Sequence, residues 1–309
     1  MSVIAVVGSL NMDLVIRAPR QPHLGETLVG GSFGMTGGGK GANQALACAR
    51  LGAEVCMIGC VGNDDFGLRL KEVLTESKVD CRHLRVVSGV GTGVAIVTVT
   101  ESGDNAIVLA PGANACVESS LITEAADAFK KADAVMFQLE IPLGAVEAGL
   151  HLARKSGCRT ILTPAPAREI PPALWALVDT VVLNENELAF YVKEDRLETE
   201  EELVTAARQL VERGPLCVLV TRGARGGLAV SKKDFFDYAP FQVEALDSTG
   251  AGDAFCAAFT VTLAEGLPLR EAILYASAAG ALACTRFGAH PSMPWRHEVQ
   301  ALLQNSRNG

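Results

Sequence analysis

Short apolar runs rich in β-branched residues alternate along this chain with longer stretches in which apolar residues return every three or four positions. The runs predict strands at 2–8, 54–60, 134–138, 159–163, 180–183 and 216–221. The periodic stretches predict helices at 42–51, 66–77, 118–131, 143–156, 200–213, 252–266 and 269–285. Such alternation implies βαβ units around a mostly parallel sheet with helices on both faces. Two stretches break the rhythm. Residues 14–35 hold strand-like pieces at 14–17 and 27–29 around Pro19, Pro22 and paired glycines, and residues 91–109 hold pieces at 93–100 and 105–109 around Glu101-Ser102-Gly103-Asp104. No helix separates the pieces, so both predict antiparallel hairpins that together form a small sheet, a lid or a dimer surface. With no internal repeat and no low-complexity linker, one α/β domain over residues 1–309 is expected.

Composition narrows the function. Apolar residues make up 49% of the chain and charged residues 20%, enough to bury a large core. Lys plus Arg number 27 against 35 Asp plus Glu, for a net charge of −8, which repels phosphate backbones; nucleic acid is not an expected partner. The first residues carry no basic leader or secretory apolar segment, and no run approaches a membrane span, so no membrane partner is expected either. Nine cysteines are scattered with no C-x-x-C pair, which predicts buried free thiols in a cytosolic protein of enzyme size.

Several polar or glycine-rich segments at strand ends carry candidate chemistry. Gly34-Met35-Thr36-Gly37-Gly38-Gly39-Lys40-Gly41 nearly matches the phosphate loop G-x-x-x-x-G-K-[ST], but Gly41 lacks the hydroxyl that would hold Mg²⁺. It also contains G-x-G-x-x-A at 37, 39 and 42, yet a dinucleotide fingerprint belongs directly after the first strand, not after a lid-like stretch. What survives is a tight turn into a helix whose free N–H groups near Lys40, with Asn43 on the first turn, suit a polar ligand; a plain structural turn suits them equally. Asp247-Ser248-Thr249-Gly250-Ala251-Gly252-Asp253 follows strand-like 242–246 and leaves unobstructed amides at a helix N-terminus, where the dipole favours an anion. Asp253 reads either as a helix cap or as a proton acceptor beside a migrating phosphoryl group. Asn184 and Glu187 read either as a cap or as holders of hydrated Mg²⁺. Thr221-Arg222-Gly223-Ala224-Arg225-Gly226 also follows a strand, and its arginines face phosphate or solvent.

The order of these pieces resembles the ribokinase/PfkB family of carbohydrate kinases over nearly the whole chain. The resemblance runs through Gly8-Ser9-Leu10-Asn11-Met12-Asp13, Gly25-Glu26-Thr27, Gly38-Gly39-Lys40-Gly41-Ala42-Asn43-Gln44 and Gln138-Leu139-Glu140. It continues through Pro164-Ala165-Pro166-Ala167-Arg168, Asn184-x-x-Glu187, Asp247-x-Thr249-Gly250-Ala251-Gly252-Asp253 and Gly288-Ala289-His290-Pro291-Ser292-Met293-Pro294-Trp295-Arg296. It implies a three-layer α/β fold, a central mostly parallel sheet flanked by helices, with a small β-sheet lid from about 14–35 and 91–109. It also implies ATP-dependent phosphorylation of D-ribose at O5, giving ribose 5-phosphate, by a cytoplasmic homodimer joined through the lid; a nuclear presence stays open.

By the same resemblance, Asn11, Asp13, Gly39, Lys40, Asn43 and Glu140 hold the sugar. Asp253 is the base, beside an anion hole of Gly250, Ala251 and Gly252. Asn184, Thr221, Arg222, Gly223, Ala224, Arg225, Gly226, Gly252 and Ser277 match nucleotide-contacting positions, and Glu187 matches the carboxylate that influences Mg²⁺ and phosphate. A monovalent cation, K⁺, is expected at Asp247, Thr249, Ala283, Arg286, Gly288 and Ser292, several through backbone carbonyls. Three residues depart from the family pattern: Thr163 where many members have Asn, Ser277 for a larger His or Asn, and Arg222 for a usual Leu. The same chemistry admits 2-deoxyribose, a nucleoside or a ketohexose as acceptor, although Asn11 suits a 2-hydroxyl. A nicotinamide oxidoreductase using the 37–42 loop and a non-catalytic sugar-binding protein are the alternatives from other classes.

Overall fold

In the computed structural model, residues 1–101 and 105–308 are described, 307 and 308 by backbone alone; Ser102–Asp104, most of the expected lid turn, lie outside them. The first strand, β1 (Val3–Val7), shows why the apolar runs are continuous: Ile4 and Val6 enter one core, Ala5 and Val7 the other. Period-two side chains must do this in a sheet covered on both sides. The chain continues through β2 (Asn11–Ala18), β3 (Phe33–Gly38), α1 (Lys40–Arg50), β4 (Glu54–Gly62), α2 (Asp65–Glu76) and β5 (Asp80–Val87). Then follow β6 (Gly93–Thr100), β7 (Asn105–Ala110), α3 (Ser119–Glu124), α4 (Ala126–Lys131), β8 (Ala134–Gln138), α5 (Leu143–Ser156) and β9 (Arg159–Thr163). The second half holds α6 (Pro172–Trp175), β10 (Thr180–Asn184), α7 (Glu185–Val192), α8 (Glu200–Glu212), β11 (Cys217–Thr221), β12 (Gly227–Ser231) and β13 (Phe235–Tyr238). It closes with α9 (Ala251–Ala264), α10 (Leu269–Ala283), α11 (Ala289–Ser292) and α12 (Arg296–Asn308).

Among the described residues, nine strands form one sheet in the order β13-β12-β11-β10-β9-β8-β1-β4-β5, antiparallel only at β12 and β13. One core packs α1, α2, α9, α10 and α12 on one face, and a second packs α3 to α8 on the other. The three-layer α/β fold is therefore present. Strand order reverses between β1 and β8, and α/β sheets bind ligands off the carboxyl ends of the strands at such a switch point. Helix α9 is buried almost all round, from Ala254 to Thr262, as expected of a helix apolar on every face. Cutting fully buried Phe259 to Ala would cost ~3–5 kcal/mol. That packing anchors the start of α9, where Asp253 sits.

The small sheet has the order β3-β2-β6-β7, and the parallel β2–β6 pair joins the two antiparallel pairs into one surface. Asp13, Val15, Arg17, Ala95, Val97 and Leu109 line its inner side. Its outer side carries exposed Ile16, Phe33, Met35, Ile96 and Val108.

Several expectations need correction. Residues 27–29 form no strand; Pro19, Pro22 and the Gly30-Gly31 pair delay the return until Phe33, where β3 pairs with β2. Residues 242–246 form no strand, because the Leu246 and Asp247 amides donate to the Cys284 carbonyl instead of to a ladder. The expected helix 118–131 is two short helices that meet at Ala125. The nine thiols are free. Among the described residues, no helix is long and apolar enough to cross a membrane.

Candidate active site

A cavity of about 990 Å³ opens between the inner side of the small sheet and the main layers. Asn11, Asp13, Gly39, Lys40, Asn43, Glu140, Gly250 and Asp253 all reach it. Asn11 and Asp13 come from β2, Gly39 caps α1, Lys40 and Asn43 occupy the first turn of that helix, and Glu140 follows β8. The residues expected from the sequence to hold the sugar thus converge from three separated segments, and Asp253 joins them from a fourth.

Glu140 is a local organiser. Its Oε2 accepts from the Ser9 hydroxyl at 2.5 Å, the Lys40 amide at 3.1 Å and Asn11 Nδ2 at 3.4 Å. Asn11 is fixed from its other end, its Oδ1 accepting from Asn114 Nδ2 at 2.7 Å. Asp13 stands in the wall with two other carboxylates, and burial, Glu140 and Asp253 push its pKa from 3.8 up to about 7. Lys40 balances this charge. Burial pulls its pKa down, but Asp253, Glu140 and Glu187 outweigh that and raise it.

Asp253 does not cap α9. Gly250 holds that position with φ of 80°, a left-handed turn that disfavours a side chain, and no side chain caps the helix. Both Asp253 oxygens instead accept amide donors from α1: Oδ2 from Asn43 at 2.8 Å and Oδ1 from Gln44 at 3.0 Å. The carboxylate is buried, in the first turn of a helix whose leading amides have no intrahelical partners.

The expected nucleotide positions form a second group at the ends of β10 and β11, where Asn184 and Thr221 lie opposite one another in register. Asn184 and Glu187 do form a capping box: Asn184 Oδ1 accepts from the Glu187 amide at 2.9 Å, and Glu187 Oε2 from the Asn184 amide at 2.9 Å. Glu187 still faces the site. Burial raises its pKa, opposed by the Asn184 bond and Lys40 and reinforced by Asp253. Gly223, Ala224 and Arg225 make a single helical turn, closed by the Arg222 amide donating to the Gly226 carbonyl at 2.8 Å. Arg222 and Arg225 share the Glu185 carboxylate, and Arg222 also reaches Glu200 at 3.8 Å, so both arginines are occupied by protein carboxylates. Ser277, on α10, donates to the Ala239 carbonyl at 3.4 Å.

The expected cation positions are tied together around the 247–249 loop. Asp247 Oδ1 accepts from the Thr249 amide at 2.9 Å and hydroxyl at 2.6 Å, and Oδ2 accepts from the Gly288 amide at 2.8 Å. Burial pushes Asp247 up, but these bonds win and hold it below the usual carboxylate value. Ser292 donates to the Ala289 carbonyl at 2.8 Å and the Thr249 carbonyl at 3.5 Å. The Arg286 guanidinium is turned onto Glu298. Ala283 ends α10, one residue before the Cys284 carbonyl that ties Leu246 and Asp247. Among the described residues, no group of three or more His, Cys, Asp or Glu is arranged to hold a metal. A carboxylate with surrounding carbonyl and hydroxyl oxygens fits a weakly bound hard monovalent cation.

Ser9, Gln44, Asn114, Gln138 and Thr163 belong to this hydrogen-bonded frame, although residue-by-residue reading assigned them no role. The available signal was polarity: Gln138 stands between Phe137 and Leu139, and Gln44 directly precedes the apolar run Ala45–Cys48.

Fold and site define a class, an α/β kinase that works on a small polar molecule. The family model of "pfkB family carbohydrate kinase" matches residues 1–296, and the chain belongs to that family. It is 36% identical over 303 residues to a ribokinase of Haemophilus influenzae, covering 98% of this chain and 99% of that one. It is 33% identical over 292 residues to a deoxyribokinase of Salmonella typhi, covering 94% and 95% of the two chains. The structure of Arabidopsis thaliana ribokinase complexed with ribose and ATP superposes with a TM-score of 0.91 at 31% identity, covering 98% of this chain and 99% of that one.

Proposed function

We propose that the protein transfers the γ-phosphoryl group of ATP, bound with Mg²⁺, to O5 of D-ribose. The observation that carries this reading is Asp253: a buried carboxylate in the wall of a lidded, carboxylate-rich cavity, at the amide-bearing start of α9. Ribokinase relatives, and a close structural neighbour complexed with ribose and ATP, support the choice of substrates.

Asp13, Asn43 and Glu140 accept and donate to ring hydroxyls, leaving the primary hydroxyl beside Asp253. A site built to pair hydroxyls discriminates against acceptors that leave its own polar groups unpaired. As the hydroxyl oxygen attacks the γ-phosphorus, Asp253 takes its proton. The amides of Gly250, Ala251 and Gly252 stabilise charge on the equatorial oxygens, and ADP leaves in line. Lys40, held between Asp253, Glu140 and Glu187, places a positive charge between the sugar and phosphate sides. Asn184, Ser277 and the turn Thr221–Gly226, through its backbone while Arg222 and Arg225 stay on their carboxylates, would receive the nucleotide, and Glu187 would act on its Mg²⁺. Asp247, Thr249, Ser292 and carbonyls at 283, 286 and 288 would hold K⁺, which supplies fixed positive charge beneath the anion-binding turn. The small sheet excludes water from the phosphoryl group. Its apolar outer side joins two copies into a homodimer, working in the cytoplasm.

Asp253→Asn should lower kcat by three or more orders of magnitude with little change in ribose affinity by calorimetry. ADP release measured across pentoses, hexoses and nucleosides, with and without K⁺, tests the acceptor. Similarity to a deoxyribokinase favours 2-deoxyribose as the second reading. Stronger turnover of 2-deoxyribose than of ribose would replace the first.

A further inference from the structure

The two oxygens of Asp253 have different surroundings. Oδ2 bonds Asn43, which lines the cavity, whereas Oδ1 bonds Gln44, which is fully buried behind it. The Gln44 amide is not free to turn over, because its oxygen would then face a carboxylate. With Nε2 committed to Asp253, and also 3.3 Å from the Thr163 hydroxyl, its Oε1 points back and accepts from Gln138 Nε2 at 2.6 Å. Gln138 is itself fully buried at the end of β8, beside β1, where strand order reverses. Gly8, just after β1, makes room for it: a Cβ at Gly8 would stand 1.9 Å from Gln138 Oε1. The charge on Asp253 therefore sets the polarity of two buried amides in series.

We propose that Gln44 and Gln138 are positioning residues, a buried amide relay that tethers Asp253 Oδ1 and presents Oδ2 to the acceptor hydroxyl. Neither amide touches substrate, and both act through the carboxylate. The inference rests on Asp253 being the base. Charged and titratable groups facing Asp253 are Lys40 from α1, Asp13 from β2, Glu187 from α7 and Cys256 from its own helix, with Glu140 beyond β8 in the same cavity wall. The relay leaves all of them in place.

The test compares Gln44→Met, Gln138→Met and the double variant by kcat, its pH profile and ribose affinity in calorimetry. Gln44→Met should lower kcat about 10- to 100-fold, the scale on which orienting partners act, with ribose affinity within threefold of wild type. Loss of a donor to the carboxylate should also move the acid limb of kcat upward, because that hydrogen bond favours the charged form. Gln138→Met should show a smaller drop and the same direction of shift. The double variant should be no worse than Gln44→Met, because Gln138 acts only through Gln44. If Gln44→Met does not fold, the acid limb of Gln138→Met decides alone. A Gln44→Met kcat within threefold of wild type, an unmoved acid limb, or multiplicative losses in the double variant would overturn the relay. Retained turnover in Asp253→Asn would instead remove the base, so the two failures are distinguishable.

Discussion

Asp13→Asn should make the protein more stable and a worse enzyme. The side chain lies in a wall with Glu140 and Asp253, and burial with these like charges lifts its pKa from 3.8 to about 7. Ionising the carboxyl in the folded chain then costs ~4 kcal/mol relative to ionising it in the unfolded chain. Water entering the cavity mouth relaxes part of that, leaving a cost of roughly 2 kcal/mol. The sign follows from linkage. A folded-state value above the unfolded one contributes most favourably below about pH 4, and that contribution is lost as pH rises through about 7. Asparagine keeps the shape and removes the charge, so its advantage grows across the same window. Urea unfolding of wild type and variant at pH 5 and pH 8 gives the difference directly. The variant should gain more at pH 8, with a raised KM for ribose because an anionic acceptor for its hydroxyls is gone. An advantage equal at both pH values, or a variant less stable at pH 8, would refute the electrostatic account of this wall.

Two further substitutions probe separate parts of the molecule. Gly8→Ala drives a methyl group to 1.9 Å from Gln138 Oε1 and 2.8 Å from the Gly41 Cα, so thermal unfolding should show a loss of about 1–3 kcal/mol. Its kcat should fall more than its KM rises; an unchanged melting temperature would mean that β1 and α1 separate easily. Ile96→Arg puts a charge at the centre of the exposed apolar side of the small sheet, where Ile96 is 53% exposed. Sedimentation should show wild type as a dimer and the variant as a monomer, whereas a monomeric wild type would remove the dimer proposal.

Much of the main sheet was legible because both of its faces are covered. Strands such as β1 and β8 read as unbroken apolar runs, and the helices between them repeat at 3.6 residues. The strands that escaped notice lack that signature. Edge strand β5 opens on mostly polar residues, Asp80-Cys81-Arg82-His83, and β3, Phe33–Gly38, is rich in glycine. Each is held by its neighbour's ladder more than by its own side chains. β12 and β13 are short, and the hairpin they form is announced only by Lys232-Lys233-Asp234.

The site divides along a similar line. Segments suited to approach a ligand with backbone are visible as glycine-rich turns at strand ends, and the 247–253 turn, with free amides at a helix N-terminus, is one of them. What one dimension cannot show is which carboxylates share a wall. Asp13 and Glu140 stand 127 positions apart and Asp253 a further 113 along, yet in the fold the two partner carboxylates add to the burial that raises Asp13. Of the two readings left open for Asn184 and Glu187, the cap is present, and it leaves the Mg²⁺ reading as a proposal. The pair caps α7 through one oxygen of each side chain, while Glu187 remains coupled to Lys40 and Asp253. For Asp253 the choice was real, and geometry separates the alternatives: a capping carboxylate would accept the helix's own amides, whereas this one accepts side-chain amides from another helix. Those donors cross from α1 to α9, so the same contacts that orient the carboxylate also join the first and last thirds of the chain. With Asp253 as the proposed base, folding and chemistry depend on one set of hydrogen bonds, and losing Gln44 should be felt at the Asp253 carboxylate before it is felt in the fold.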